Sequence, residues 1–154
     1  MELSAVSMES IVPLIRLQLE NGGRSHLIVT GVSMHPTLRN CRDRVELIPP
    51  PQRYCRGDLI LYQRLNGRYI LHRIVKVNAD GSFICSGDNQ WQPERVEAHQ
   101  VIALVDTYIR DGKRIRANAP ACKAYVWLWV RLFPVRKPIL KLRRCFGRLR
   151  KKKK

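Results

Sequence analysis

Leu59-Ile60-Leu61-Tyr62-Gln63-Arg64-Leu65-Asn66-Gly67-Arg68-Tyr69-Ile70-Leu71-His72-Arg73-Ile74-Val75 places two β-rich runs on either side of Asn66-Gly67. Asn and Gly accept the positive φ that a two-residue hairpin turn requires. The stretch therefore predicts paired antiparallel strands over 58–64 and 68–77. Outward from it, Pro49-Pro50-Pro51, Asp80-Gly81 and Asp111-Gly112 mark further turns. They bound predicted strands near 26–30, 44–48, 82–86 and 99–110, with a short return at 113–116. Many short strands without an internal repeat predict a mainly β domain, built as a barrel or a coiled sheet.

The flanks differ from this body. Ser10 to Glu20 reads as a short amphipathic helix: Ser10 caps it, Pro13 is tolerated in the first turn, and Asn21-Gly22-Gly23 ends it. Ile11, Leu14, Ile15 and Leu17 are its expected apolar side. Beyond Pro120, residues 121–133 are apolar and rich in tryptophan. Residues 136–154 mix Arg and Lys with Ile139, Leu140, Leu142, Phe146 and Leu149. The expected organisation is a helix over 1–24, a β domain over 25–118 and a basic amphipathic tail over 119–154.

Charge is distributed unevenly. Met1 to Asp111 holds 13 Lys and Arg against 12 Asp and Glu; the following 43 residues hold 16 Lys and Arg and no acid, so the net +17 belongs almost wholly to the tail. Such a tail seeks an anionic partner. Trp127 and Trp129 beside Arg131 suit a membrane interface, and positive charge prefers the anionic cytoplasmic face. Stacking aromatics are nearly absent from 136–154, so nucleic acid is not the expected partner. No apolar stretch approaches the ~20 residues of a membrane-spanning helix. Glu2 and Glu9 precede any Lys or Arg, the wrong polarity for a secretory signal. Five cysteines without C-x-x-C spacing give neither a metal framework nor a disulfide ladder. The expected location is cytoplasmic, peripheral at the inner face of the membrane.

The chemistry centres on Gly31-Val32-Ser33-Met34-His35-Pro36-Thr37-Leu38. Ser33 follows the apolar run Leu27-Ile28-Val29, which Pro36 stops from continuing. A serine on such a turn is exposed while the backbone behind it stays fixed, as a nucleophile needs. A hydroxyl is a poor nucleophile at neutral pH and requires a base within hydrogen-bond reach. Histidine, with an ordinary pKa near ~6.5, can take that proton, and a carboxylate on its far nitrogen sets the tautomer.

The octapeptide resembles the G-x-S-M-x-P-T/S-L nucleophile box of the signal peptidase I superfamily, which also includes the self-cleaving SOS-response repressors. Asp43-Arg44-Val45 resembles its G-D-x-V element, with Arg42 where glycine is usual. Arg56-Gly57-Asp58-Leu59-Ile60-Leu61-Tyr62 resembles the R/K-G-D-I-V strand, Tyr69 to Val75 the strand carrying the general base, and Ser86-Gly87-Asp88-Asn89 the G-D-N turn. The resemblance covers about residues 25–105. It implies a coiled β-barrel and a serine endopeptidase cleaving a signal, leader or precursor peptide, with no metal or cofactor. Most bacterial members have lysine where this chain has His72; histidine there is similar to the endoplasmic-reticulum branch. That branch implies Ser33 as nucleophile, His72 as base and Asp88 as its orienting acid. Asp58 is a rival orienter. Lys76 is a rival base but lies four residues from His72, roughly 13 Å along a strand.

For the oxyanion, backbone N–H groups at the Ser33 turn are the expected donors. Many signal peptidases add a hydroxyl two residues before the nucleophile, where this chain has Gly31; Thr30 is the alternative, and Met34 follows the nucleophile. Arg73 faces away from His72 and is expected to brace the sheet. Two other readings remain. A self-cleaving regulator needs a DNA-binding domain ahead of the protease body, and about 25 residues are too few for one. The other is a catalytically silent barrel with a binding tail.

Overall fold

The computed structural model describes residues 7–142. An N-terminal helix, α1 (Met8–Glu20), precedes eight strands: β1 (Ser25–Ile28), β2 (Arg44–Ile48), β3 (Leu59–Gln63), β4 (Tyr69–Val77), β5 (Phe83–Ser86), β6 (Glu94–Val96), β7 (Val101–Arg110) and β8 (Lys113–Arg116). Helix α2 (Pro120–Arg131) and a 3-10 turn (Phe133–Val135) follow, and residues 136–142 are again helical. The basic stretch expected over 136–154 lies outside the described residues after 142.

All pairings are antiparallel, and the sheet runs β1-β2-β7-β3-β4-β5-β6, with β8 also on β7. The expected hairpin joins β3 and β4, but through a longer loop closed by Arg64 N–H to Arg68 O (2.8 Å), in which Gly67 (φ +82°) and not Asn66 takes a positive φ. The expected barrel is corrected: the sheet is open, with β1 and β6 as its ends. The ten residues of β7 pair with β2, β3 and β8 and form the centre of the sheet. Bulges at Glu46/Leu47, Leu61/Tyr62 and Ile74/Lys76 bend the strands.

The curvature encloses two cores. Leu59 and Leu61 of β3 point into one, with Val45, Leu47, Ala103 and Val105; Ile60 and Tyr62 point into the other, with Ile74, Phe83, Cys85 and Val96. A strand buried on both faces reads as a continuous apolar run, as Leu59 to Tyr62 does. Helix α1 is part of the first core through Val12, Ile15 and Leu19. The expected apolar side is half right: Leu14 and Leu17 face outward. The buried stripe follows i, i+3, i+7 from Val12 instead.

Helix α2 seats against the turn before β3. Gly57 has φ +103°, and a Cβ there would lie 2.6 Å from Val126 Cγ1. Glycine thus permits both the turn and the close approach of the helix.

Candidate active site

Ser33 sits in the loop between β1 and β2. The loop is tied at its neck by Val29 N–H to Asp43 O (3.0 Å) and Cys41 N–H to Val29 O (2.8 Å). Met34 and Leu38 are buried in the first core and anchor it from beneath. Asp43, fully buried, accepts from the Arg39 backbone N–H (2.9 Å), from the Arg39 guanidinium (2.9 and 2.6 Å) and from Arg110 Nε (3.2 Å). Arg110 also donates to the carbonyls of Pro36 and Thr37. Burial raises the Asp43 carboxyl pKa, but the Arg39 hydrogen bonds and the Arg110 charge outweigh it and hold the group below its ordinary value.

The Gly87-Asp88-Asn89 turn clasps this loop from the other side. Asn89 N–H donates to Ser33 O at 2.7 Å, and Asn89 Nδ2 donates to Val32 O at 3.2 Å. Behind the turn, Asp88 accepts from Arg73 Nε (2.9 Å) and Nη2 (2.8 Å), and from Thr37 Oγ1 (2.5 Å). Arg73 and Asp88 are both fully buried, and Arg73 Nη1 reaches Gly57 O at 2.8 Å.

His72 lies on β4 opposite Ile60 of β3 and shares the Tyr62 face, while Arg73 points to the other side. The Nε2 edge of the ring lies beside Gly87, as Ser33 does. A Cβ built on Gly87 would lie 3.0 Å from Ser33 Cβ and 3.1 Å from His72 Nε2. Both atoms therefore flank one small gap beside Gly87, and no Cβ occupies it. Ser33 and His72 also line one cavity of about 180 Å³, together with Thr30, Met34, Ile70 and Leu71.

The acid at the far side of the ring is not the expected one. Asp88 is committed to Arg73 and Thr37, and the His72 Nδ1 edge meets Glu94 Oε1 at 3.2 Å. Glu94 also accepts from Tyr62 Oη (2.5 Å), Arg64 Nε (2.6 Å) and Arg64 Nη2 (2.7 Å). Partial burial raises the Glu94 pKa, but hydrogen bonds from His72, Arg64 and Tyr62 prevail and hold it far below the carboxylate range. An ionised carboxylate only accepts, so the hydrogen between it and the imidazole sits on Nδ1. Tyr62 Oη also lies 3.2 Å from Nδ1, and in a neutral ring with its hydrogen on Nδ1 the lone pair is on Nε2. The rival Asp58 turns away, accepting from Cys55 N–H at 2.7 Å in its own turn. Lys76 is exposed.

Among the expected oxyanion groups, Gly31 is corrected: at φ +88° it donates its N–H to Asn40 Oδ1 (2.7 Å), which withdraws that donor. Thr30 lines the cavity with Ser33. Met34 lines it too but is chiefly a core side chain.

Two further groups at the site lie in the C-terminal segment. Trp129 Nε1 donates to Asp88 O (3.2 Å) and Arg136 Nη1 to Gly87 O (3.1 Å). Arg136 is wholly buried, stacked against Trp129 and Phe133, with Nη2 on Trp129 O at 2.9 Å. Its place in a segment rich in Lys and Arg gives no sign of this, whereas Glu94 has one available signal: an acid directly after Pro93 in a mostly polar connection.

The comparisons with known proteins give no match, whether to a family model, a curated protein or a solved structure. Among the described residues no cluster of His, Cys, Asp and Glu could hold a metal ion, and no helix is long and apolar enough to cross a membrane.

Proposed function

We propose that this chain is a serine endopeptidase of the signal-peptidase type, cleaving a signal, leader or precursor peptide through Ser33, His72 and Glu94. The observation that carries the reading is the gap beside Gly87, bordered by Ser33 Cβ at 3.0 Å and His72 Nε2 at 3.1 Å from the position a Cβ would take.

In the proposed reaction Ser33 Oγ attacks the peptide carbonyl as its proton passes to His72 Nε2. Glu94 stabilises the imidazolium through Nδ1–H, and Tyr62 and Arg64 fix Glu94 in turn. The tetrahedral oxyanion is met by backbone N–H groups of the Ser33 turn, with the Thr30 hydroxyl as the neighbouring donor. The C–N bond breaks as His72 returns its proton to the leaving amine. Water, deprotonated by the same imidazole, then releases the acyl group. Strand β1 is a sheet end that leads into the Ser33 loop, and its unpaired edge can add an extended peptide. The small cavity, lined by Val29, Ile70 and Leu71 as well as Thr30, Arg64 and Gln90, suits a small side chain next to the cut.

A peptide-library digest with wild type, Ser33→Ala and His72→Ala tests the proposal. Each substitution is expected to lower cleavage at least about 10²-fold, the lower bound of general-base assistance. Equal cutting by all three would overturn the assignment of residues. Absence of cutting by any of them would favour a binding module.

A further inference from the structure

Helix α2 buries one face and leaves the other bare in an unusual way. Val126 and Val130 turn inward with Trp129. Outward stand Trp127 at 64 % exposure and Leu128 at 52 %, followed by Val135, Ile139 and Leu142. The only polar groups interleaved with them are cations. Lys123 and Arg131 lie one turn to either side of Trp127, and Arg131 stacks over its ring at 5.5 Å. Lys137 and Lys141 continue the exposed series. From Ala119 to Lys154 the chain has no Asp, Glu, Ser, Thr, Asn or Gln, and it has 13 Lys and Arg. A face that meets only water ordinarily carries neutral hydrogen-bonding side chains or mixed charges.

We propose that this outward face of α2 and residues 136–142 lies flat on an anionic lipid surface, with Trp127 and Leu128 in the headgroup boundary and the cations on lipid phosphates. The composition decides among occupants. A second copy of the chain would bring the same acid-free cationic face into contact with itself, which like-charge repulsion opposes. A nucleic-acid backbone would use the cations but leave Leu128, Val135 and Leu142 in water. A lipid interface takes both halves, since apolar side chains enter the acyl boundary while cations meet the headgroups. The docking face is opposite the one that holds Gly87 and Asp88, so the helix lies between the lipid and the Ser33 site without giving up either contact.

Sedimentation of the full chain with vesicles of phosphatidylcholine alone, or with about a third phosphatidylglycerol, tests this. Partitioning is expected to be at least tenfold stronger on the anionic vesicles and to weaken with salt. Trp127→Ser/Leu128→Ser, at exposed positions and unchanged charge, is expected to reduce it about tenfold. Brominated lipid should quench the tryptophan fluorescence of wild type and not of Trp127→Phe. Double-variant binding equal to wild type would overturn the proposal, because charge alone would then suffice. Quenching that persists in Trp127→Phe would overturn it as well, as would a solution dimer abolished by the double substitution. Ser33→Ala is expected to bind vesicles as wild type does, so this result stands apart from the test of the peptidase reading.

Discussion

Alanine at Gly87 would place a methyl group in the one gap the proposed chemistry needs empty. Gly87 does not use a positive φ, so the cost of Gly87→Ala comes from contact and not from backbone strain. The new carbon would meet Ser33 O at 2.6 Å, Ser33 Cβ at 3.0 Å and His72 Nε2 at 3.1 Å. None of these neighbours yields cheaply. Ser33 O is held by Asn89 N–H at 2.7 Å, and the imidazole is held through Nδ1 by Glu94. Overpacking of this kind costs about 1–3 kcal/mol of stability. The larger expected effect is on catalysis, because the hydroxyl and the base are pushed to either side of the methyl. Losing general-base assistance removes a factor of about 10²–10⁴, equivalent to about 3–5 kcal/mol in the barrier. The assay pairs kcat/KM on a cleaved peptide with the urea midpoint of the same preparation. A folded Gly87→Ala protein that cuts within about twofold of wild type would refute the reasoning, since the gap could then not be where the proton passes.

The two carboxylates near the site are expected to respond differently to amide substitution. Glu94→Gln removes the charge behind His72, so kcat should fall by about 10² or more, and the urea midpoint should fall too because the carboxylate accepts from Tyr62 and Arg64. Asp88→Asn strips the buried Arg73 guanidinium of its carboxylate, so stability should fall by about 3–5 kcal/mol, read from the same denaturation. Acid stability tests Asp43 and Glu94, whose folded pKa values lie below the unfolded ones. Their contribution is complete above the unfolded value near ~4 and is lost as pH falls through the folded values. Urea midpoints measured downward from pH 5 should therefore drop, and the drop should be shallower in Asp43→Asn.

What the sequence discloses and what it withholds follow from the range of the forces involved. Hairpin turns are local: Asn66-Gly67 and Asp111-Gly112 carry their own conformational reasons, and β3, β4, β7 and β8 stand where those turns put them. Sheet closure is not local. It depends on whether the end strands β1 and β6 meet, and no residue pattern within a single strand reports that. Strand β6 is three residues long, too short for alternation to show, and it was not expected. It is also the strand that carries Glu94, so the missed element and the missed carboxylate are one omission. The resemblance implies Asp88 through its Gly-Asp-Asn turn, but such a turn needs only a structural reason. Here that reason is the clasp on the Ser33 loop, with Asp88 neutralising Arg73 behind it. Arg136 makes the same point from the opposite side. Within a run of like charges each cation reads as solvated, yet burial depends on the neighbours brought by the fold. Trp129 and Phe133 supply aromatic faces, and the carbonyls of Gly87 and Trp129 supply acceptors. The planar faces stack and the two Nη groups donate, while Nε is buried without a partner among the described residues. The C-terminal segment is therefore built into the back of the Ser33 site, and a chain cut before Pro120 would lose two of the donors that hold the Gly87-Asp88 turn.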